Sequence, residues 1–300
     1  MPKSGFVAII GCPNVGKSTL LNAFLKQKIA AVSPKPQTTR HRILGISHFK
    51  SPQEGQILFL DTPGIHRPHK SLNEYMMEIA RESLSDADLV LFLIEPKGPL
   101  SKMDKEIYGS ILKVGKPVAV LINKIDQVAK LSLLALMDEV LKTFKPDVVI
   151  PVSAQNQISL EAVESWIQEK LPEGPLYYPK DQVTDQSERF LVSESIREKL
   201  MRSTKKEIPY AVTVLIDSFL EPKPNDPKQV TRIQATIIIE KESQKAIVIG
   251  HGGQMLKKIG TEARMEMEKE LERKIFLELF VRVEKDWSQD PNKVKEFAYS

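Results

Sequence analysis

A doubly wound α/β sheet followed by a smaller α+β domain is the fold class the sequence predicts, on three observations. Residues 1–171 alternate continuous apolar runs with helix-patterned segments, as a mostly parallel sheet with helices on both faces requires. An aperiodic stretch with three prolines, LPEGPLYYPKDQVT from Leu171 to Thr184, breaks that alternation. Beyond it the order of elements changes to α-β-β-α-α-β. The expected organisation is a first domain over 1–172, a linker over 173–184 and a second domain over 185–300, two domains being the ordinary division of a chain this long.

The strand candidates of the first part are Phe6–Gly11, Ile57–Asp61, Asp88–Ile94, Val118–Ile122 and Val148–Val152. They are apolar throughout rather than alternating, so they read as strands covered on both faces. Helix candidates fall between them, at Lys17–Leu25, Leu72–Leu84, Lys102–Leu112, Ser132–Leu141 and Ser159–Leu171. The second part opens with a helix over 185–203. Strands Ala211–Phe219 and Thr231–Glu240 follow, joined by a turn, EPKPNDPKQ. A short helix leads to Gly250, a long one covers 254–273, and Ile275–Val283 is the last strand.

Of the 300 residues, 41% are hydrophobic and 27% charged, an ordinary globular composition. The formal net charge of +4 does not by itself indicate a nucleic-acid binder. Residues 173–300 hold 22 basic and 22 acidic side chains, so any basic surface there must be a local patch. Cys12 is the one cysteine. It can form no internal disulfide, which fits a reducing, cytoplasmic compartment. No apolar run approaches the roughly 18–20 residues that span a bilayer. Phe6–Ile10 is too short for a secretory signal and lacks a cleavage site. A monomer is the default expectation.

Gly11-Cys12-Pro13-Asn14-Val15-Gly16-Lys17-Ser18, followed by Thr19, fits G-x-x-x-x-G-K-[ST] between an apolar strand and a helix. That is the context a phosphate loop needs. Its glycines let backbone N–H groups point inward, and the helix N-terminus adds positive potential. Lys17 would reach the β- and γ-phosphates, and the Ser18 hydroxyl would ligate Mg²⁺. Asp61-Thr62-Pro63-Gly64 ends a second apolar strand. Asp61 there can hold Mg²⁺ through water, and Gly64 can offer its N–H to the γ-phosphate. Taken alone this is a common strand-ending turn; its place in the series makes it functional.

Asn123-Lys124-Ile125-Asp126 ends a third apolar strand and selects the base. A carboxylate accepts two hydrogen bonds, and guanine offers two adjacent donors. Adenine would leave the Asp126 carboxylate unpaired, a strong basis for rejection. The Lys124 stem would cover the base, Asn123 would brace the loop, and Ser153-Ala154 would close the pocket by backbone contact. A switch threonine is also needed. Pro36-Gln37-Thr38-Thr39-Arg40 supplies two, with Thr39 favoured and Thr38 the alternative. Such a threonine ligates Mg²⁺ only while the γ-phosphate is present, which couples loop order to nucleotide state. GTP and GDP with Mg²⁺ are the expected ligands, with Lys17, Ser18, Thr39, Asp61 and Gly64 carrying the chemistry.

These motifs in this order resemble the translation-factor-related GTPases of the P-loop class, in the branch that contains Era. The Thr38-Thr39-Arg40 switch, the Asp61–Gly64 motif and the Asn14 form of the phosphate loop carry the resemblance. Ile65 stands where Ras-like GTPases have a water-orienting glutamine, and an isoleucine cannot hydrogen-bond water. The resemblance implies slow intrinsic hydrolysis assisted by a potassium ion, with Asn14 as its ligand. His66 is adjacent but reads as an exposed switch-loop residue rather than a base.

In the second part, Val248-Ile249-Gly250-His251-Gly252-Gly253-Gln254-Met255-Leu256-Lys257-Lys258 joins an apolar lead-in to an amphipathic helix. A bare G-x-x-G says little; this context resembles a KH domain of type II, in which the loop clamps single-stranded nucleic acid. Gly250, His251, Gly252, Gly253, Lys257 and Lys258 would hold the backbone. Ile249 and Ile237 would line a groove for the bases. Glu262–Glu270 reads as a solvated acidic helix face, and Met255, Met265 and Met267 as core filling. Ile208-Pro209-Tyr210 and Phe276–Val283 extend the resemblance to nearly the whole chain. It implies a GTP-gated switch that binds small-subunit ribosomal RNA and the small ribosomal subunit during assembly. It also implies peripheral association with the inner membrane. Two alternatives stand beside it: a GTPase whose second domain is a protein-interaction module, and a phosphotransfer enzyme with another substrate.

Overall fold

The computed structural model describes residues 1–51, 53–65, 71–204, 212–223 and 229–298. His66, the Ile208–Tyr210 motif, Ala211 and part of the EPKPNDPKQ turn lie outside the described residues. The chain forms two compact units. Of the described residues, the first takes 1–30, 39–65 and 76–185, and the second takes 31–38, 71–75 and 186–298.

The first unit is built on a six-stranded sheet in the order β2-β3-β1-β4-β5-β6. Its strands are β1 (Lys3–Gly11), β2 (Ile43–Phe49), β3 (Gly55–Asp61), β4 (Leu89–Ile94), β5 (Val118–Ile122) and β6 (Val148–Pro151). All run parallel except β2, which pairs antiparallel with β3. β2 went unread in the sequence: ILGISHF has a glycine in its middle and polar residues near its end. Gly45 is needed there, because a Cβ would come 2.5 Å from Leu21 Cδ1.

The helices are α1 (Lys17–Leu25), α2 (Ser71–Asp86), α3 (Lys102–Leu112), α4 (Lys130–Phe144) and α5 (Leu160–Lys170). α2 belongs to the first unit from Met76 onward. α3 has a complete capping box, in which the Ser101 hydroxyl accepts from Asp104 N and Asp104 accepts from Ser101 N. Because β1 is covered on both faces, Val7, Ala8, Ile9 and Ile10 are all fully buried. Ala8 and Ile10 join Val90, Phe92, Val118 and Val120 in one core with α3 and α4. There Phe92 meets Tyr108 and Phe144 at centroid distances of 5.8 and 6.0 Å, and the last two rings stack at 4.2 Å.

Residues 173–184, expected as a linker, hydrogen-bond into the first unit. Ile46 N donates to Val183 O at 2.8 Å, and the Gln56 carboxamide oxygen accepts from Tyr177 N and Tyr178 N. The Ile46 bond and the Gly45–Thr184 bridge occupy the outer edge of β2, which would otherwise present unpaired backbone groups.

The second unit holds a three-stranded sheet, β7-β8-β9, of β7 (Val212–Leu220), β8 (Val230–Ile239) and β9 (Lys274–Val283). β7 and β8 are antiparallel, and β8 and β9 parallel. Helices α6 (Glu188–Ser203), α7 (Glu242–Ile249) and α8 (Gln254–Glu270) accompany it. Val192, Ile196 and Leu200, one stripe of α6, enter the core with Ile233, Ile237, Ile259 and Met267. α9 (Pro291–Ala298) was not anticipated. It is two turns long, and the Trp287 and Phe297 rings meet edge-on at 5.4 Å. Among the described residues, no helix is long and apolar enough to cross a membrane.

Each unit carries one tryptophan, Trp166 and Trp287. Phe92→Ala is expected to cost the first unit about 3–5 kcal/mol, because the ring's contacts are lost and a cavity remains. Denaturant unfolding followed by Trp166 fluorescence in a Trp287→Phe background checks this; a loss below about 1 kcal/mol would contradict the aromatic core described.

Candidate functional site

β1 delivers the chain at Gly11 into the loop that ends at Gly16, and α1 begins at Lys17. Gly16 caps α1 with φ 101° and ψ 26°, a conformation that L side chains resist. A Cβ there would also lie 2.2 Å from Asn123 Nδ2. Asn123, just beyond β5, donates from Nδ2 to Val15 O at 2.7 Å and accepts at Oδ1 from Ala154 N at 2.9 Å. One carboxamide thus ties together the loops after β1, β5 and β6.

Lys17 is buried, with Nζ 3.2 Å from Gly11 O and 3.0 Å from Cys12 O. Burial pulls its ammonium down to about 8, against the attraction of Asp61. Ser18 Oγ stands 2.7 Å from Thr39 Oγ1 and 2.6 Å from Asp61 Oδ2. Burial pushes the Asp61 carboxyl up to about 6, although Ser18, Lys17, the Thr62 backbone and Thr39 all favour its anion. Asp61 Oδ1 is buried without a hydrogen-bond partner.

That orphaned oxygen, two hydroxyls and no nitrogen or sulfur donor make a hard-cation site. Among the described residues no three His, Cys, Asp or Glu cluster as a metal cage. Mg²⁺ suits this donor set because it takes one or two carboxylates and completes its shell with phosphates and water.

Two further segments close on the loop. The Thr62 hydroxyl donates to Ile9 O at 2.8 Å, and Ile65 N donates to Gly11 O at 3.2 Å. Gly64 lies against Pro13, so that a Cβ would come 2.7 Å from Pro13 N and Cα. Lys124, with φ 68°, extends Nζ to Asn14 O at 2.5 Å and pairs with Glu95. Ser153 Oγ donates to Asp126 Oδ1 at 2.6 Å.

In the second unit a groove of about 360 Å³ runs between α8 and β9. Leu256, Leu277 and Leu279 form its apolar floor, and Lys257 and Arg264 stand on its wall. Gly260 allows the helix close to the strand, since a Cβ would sit 3.2 Å from Leu279 Cδ1. At its head, Gly252 and Gly253 have φ of 56° and 77°, and a Cβ on either would meet nothing within 4 Å. Gly250 differs: its Cβ would strike Met255 Cβ at 2.7 Å. His251, Lys257 and Lys258 are exposed beside the loop, and Ile249 is half-buried.

A family described as "50S ribosome-binding GTPase" matches residues 6–124, and the KH domain family matches residues 207–288. GTPase Era of Syntrophus aciditrophicus (strain SB) is 47% identical over 300 residues, covering 100% of this chain and 96% of its own. The chain belongs to the Era family of GTPases. GTPase Era of Geobacter metallireducens is 45% identical over 298 residues, covering 99% of this chain and 98% of its own. A crystal structure of Era with MgGDPNP and nucleotides 1506–1542 of 16S ribosomal RNA matches at a TM-score of 0.95 and 43% identity, covering 100% of both chains. Aquifex aeolicus Era bound to GDP·AlF4⁻ matches at 0.94 and 42%, covering 99% of both.

Against this Era architecture, the residues read from the motifs of the first 154 positions converge at the carboxyl ends of β1, β3, β5 and β6. Of the two switch threonines, Thr39 reaches Ser18. Thr38 instead donates to Lys35 O at 2.8 Å and meets Ser33 Oγ at 3.1 Å. The Asn14 side chain is exposed on the phosphate loop. Ile65 packs against the first unit's core. Burial, with Asp104 beside it, pushes the Cys12 thiol up to about 12, so it stays protonated and unreactive.

Three expectations need correction. Ile237 is fully buried in the second core and does not line the groove; on its strand it faces the helices, as does Ile239. Met265 is 62% exposed, while Met267 is in the core and Met255 packs against it. The acidic face of α8 is not merely solvated. Glu266 holds Lys199 and accepts from Ser195 Oγ, and Glu268 accepts from Ile275 N at 3.0 Å.

Glu95 was missed altogether. Burial raises its carboxyl, but Lys124 and Lys97 outweigh that and hold it below the usual range. A lone acid after a strand gives no sequence signal; only the fold brings it to Lys124. Gly16→Ala is expected to weaken GDP binding at least about tenfold, since it displaces Asn123 from two hydrogen bonds of about 1 kcal/mol each. Titration with a fluorescent GDP derivative checks this, and unchanged affinity would remove Asn123 as the brace.

Proposed function

We propose that this chain works as a Mg²⁺-dependent GTP switch that binds small-subunit ribosomal RNA during assembly of the small subunit. The observation that carries the nucleotide reading is the cluster of Ser18, Thr39 and Asp61 oxygens beside buried Lys17. Ser18 and Thr39 would hold Mg²⁺ directly and Asp61 through water, while the loop from Gly11 to Thr19 and the first turn of α1 cradle the phosphates. The metal would neutralise charge on the phosphoryl oxygens. Thr62 and Pro63 set the strand-end turn from which Gly64 offers its N–H to the γ-phosphate. Asp126 would read the guanine donors, Lys124 and Ile125 would cover the base, Ser153 would orient Asp126, and Ala154 would complete the pocket. Ile65 supplies no hydrogen bond to the attacking water, so intrinsic hydrolysis is slow. Asn14 is the proposed ligand for a stimulating potassium ion.

The RNA reading places single-stranded nucleotides along the groove beside Gly250–Gly253. Ile249 and the leucines would contact bases, and His251, Lys257 and Lys258 would contact phosphates. Residues 1–172 would carry the GTPase and 185–300 the RNA-binding function, with 173–184 joining them. The Era crystal structure with 16S ribosomal RNA, similar over the full chain, favours the small subunit as target. The description naming the large subunit belongs to a match over residues 6–124 alone. The proposed place of action is the cytoplasm.

Affinity for a single-stranded 16S 3′-end RNA should differ between GTP-analogue, GDP and nucleotide-free protein, measured at one salt concentration. Equal affinity in all three would reject the switch. Gly252→Asp with Gly253→Asp adds negative charge where nothing obstructs the side chains, and aspartate tolerates positive φ better than most residues. The double variant should lose RNA binding by at least about tenfold with GTPase activity unchanged, as expected when backbone contacts dominate affinity. Retained RNA binding would favour a protein-interaction role for this unit. Replacing Na⁺ by K⁺ should speed hydrolysis, and Asn14→Ala should remove that response; an equal rate in both salts would reject the potassium site.

A further inference from the structure

Lys124 has a partner that none of the nucleotide motifs contains. Glu95 is the first residue beyond β4, and Lys124 is the second beyond β5. Both belong to the first unit, as does the phosphate loop. β4 and β5 are parallel neighbours with Ile94 opposite Ile122, and Asn123 N donates to Ile94 O at 2.9 Å. This register sets the residue after β4 beside the loop that begins at Asn123. Glu95 occupies that place, and its carboxylate takes the Lys124 ammonium.

The ammonium has a second acceptor, Asn14 O of the phosphate loop, at 2.5 Å. A lysine stem is flexible, and an ion pair in open water scarcely restrains it. The pair with Glu95 is better sheltered, its two side chains being 15% and 26% exposed, so it is screened less than a surface pair. Burial opposes ionisation of Glu95, yet Lys124 and Lys97 outweigh it and keep the carboxyl below its usual range. The partner of Lys124 is therefore a carboxylate at neutral pH. Lys97 also reaches Glu95, at 2.5 Å, but with a mostly exposed side chain, and such a pair contributes little. The Lys124 backbone is fixed as well. It sits at φ 68°, and its carbonyl accepts from Gln127 N at 3.0 Å. With Cα set by the turn and Nζ set by two acceptors, the stem between them has little freedom left.

We propose that Glu95 is a positioning residue for guanine-nucleotide binding: it holds Lys124 stretched towards the phosphate loop, so that the aliphatic stem is in place over the base before the nucleotide arrives. The proposal rests on the reading of Lys124 as the cover of the base. A stem that is already ordered loses less freedom on binding. Freeing Nζ from Glu95 returns that cost to the binding step, so the effect falls on affinity for the nucleotide.

Affinity of the full-length protein for a fluorescent GDP derivative tests this in four variants. Glu95→Gln keeps the size of the side chain and removes its charge, and Glu95→Ala removes both. Lys124→Ala and the double variant Glu95→Gln with Lys124→Ala complete the cycle. Each Glu95 variant alone should bind at least about fivefold more weakly, the scale of one long side chain left to be ordered. In the Lys124→Ala background, Glu95→Gln should change affinity by less than about twofold, because the group it held is gone. Wild-type affinity in both Glu95 variants, beside weak binding by Lys124→Ala, overturns the proposal. An equal loss with and without Lys124 also overturns it, since a general structural role does not depend on that side chain. Wild-type affinity in Lys124→Ala sinks instead the reading of Lys124 on which the proposal rests. If Glu95→Ala does not fold, the cycle built on Glu95→Gln decides alone.

Discussion

Asn123 commits its whole carboxamide to two backbone groups, Val15 O and Ala154 N, and the nucleotide site of the first unit depends on that choice. The loops after β1, β5 and β6 come from strands whose ends are separated by up to 140 residues. None of them is stable alone in the geometry they share, because each carries backbone groups that a turn cannot satisfy internally. One amide, donor on one side and acceptor on the other, satisfies two of them at once. The requirement for glycine at position 16 follows directly, since any side chain would occupy the place of the Asn123 amide.

Around that brace the site concentrates unfavourable burial where a ligand can offset it. Lys17 and Asp61 are both buried and both displaced toward their neutral forms by desolvation. Their mutual attraction opposes this without cancelling it. A phosphate chain with its divalent cation supplies charge of the sign each of them lacks. The site is thus built around a ligand of defined charge, and its own residues are held in place by neutral contacts: Asn123, Thr62 and the close packing of Gly64 on Pro13. α6 follows the same logic on the second unit, where buried charges are satisfied by ion pairs and by the backbone of the segment 31–38.

The second unit handles its loop differently. Gly250 is required by contact with Met255, whereas Gly252 and Gly253 face open space and are required by backbone conformation alone. Open space at those two positions leaves the loop backbone accessible. Gly260, about two turns farther along α8, brings that helix close enough to β9 for three leucines to form a floor. Accessibility of the loop backbone and packing of the unit therefore rest on different glycines of one short stretch.

Sequence alone determined the two domain types, the five parallel strands of the first sheet and the places of the strand-end motifs, because these are local. Strand periodicity, a helix start and a glycine at fixed spacing act over a few residues. It also favoured Thr39 over Thr38; in the structure the Thr39 hydroxyl lies 2.7 Å from Ser18 Oγ, while Thr38 turns to Lys35 O. It did not reach β2, whose glycine and polar end hide its pairing with β3. Nor did it reach Glu95, Glu266 or Arg197, or the burial of Ile237. Each of those is set by a partner 29 to 159 residues away or by which face of a strand meets the helices. A carboxylate or guanidinium reads the same in a chain whether solvent or a buried counter-charge surrounds it; only tertiary packing removes the water and decides which.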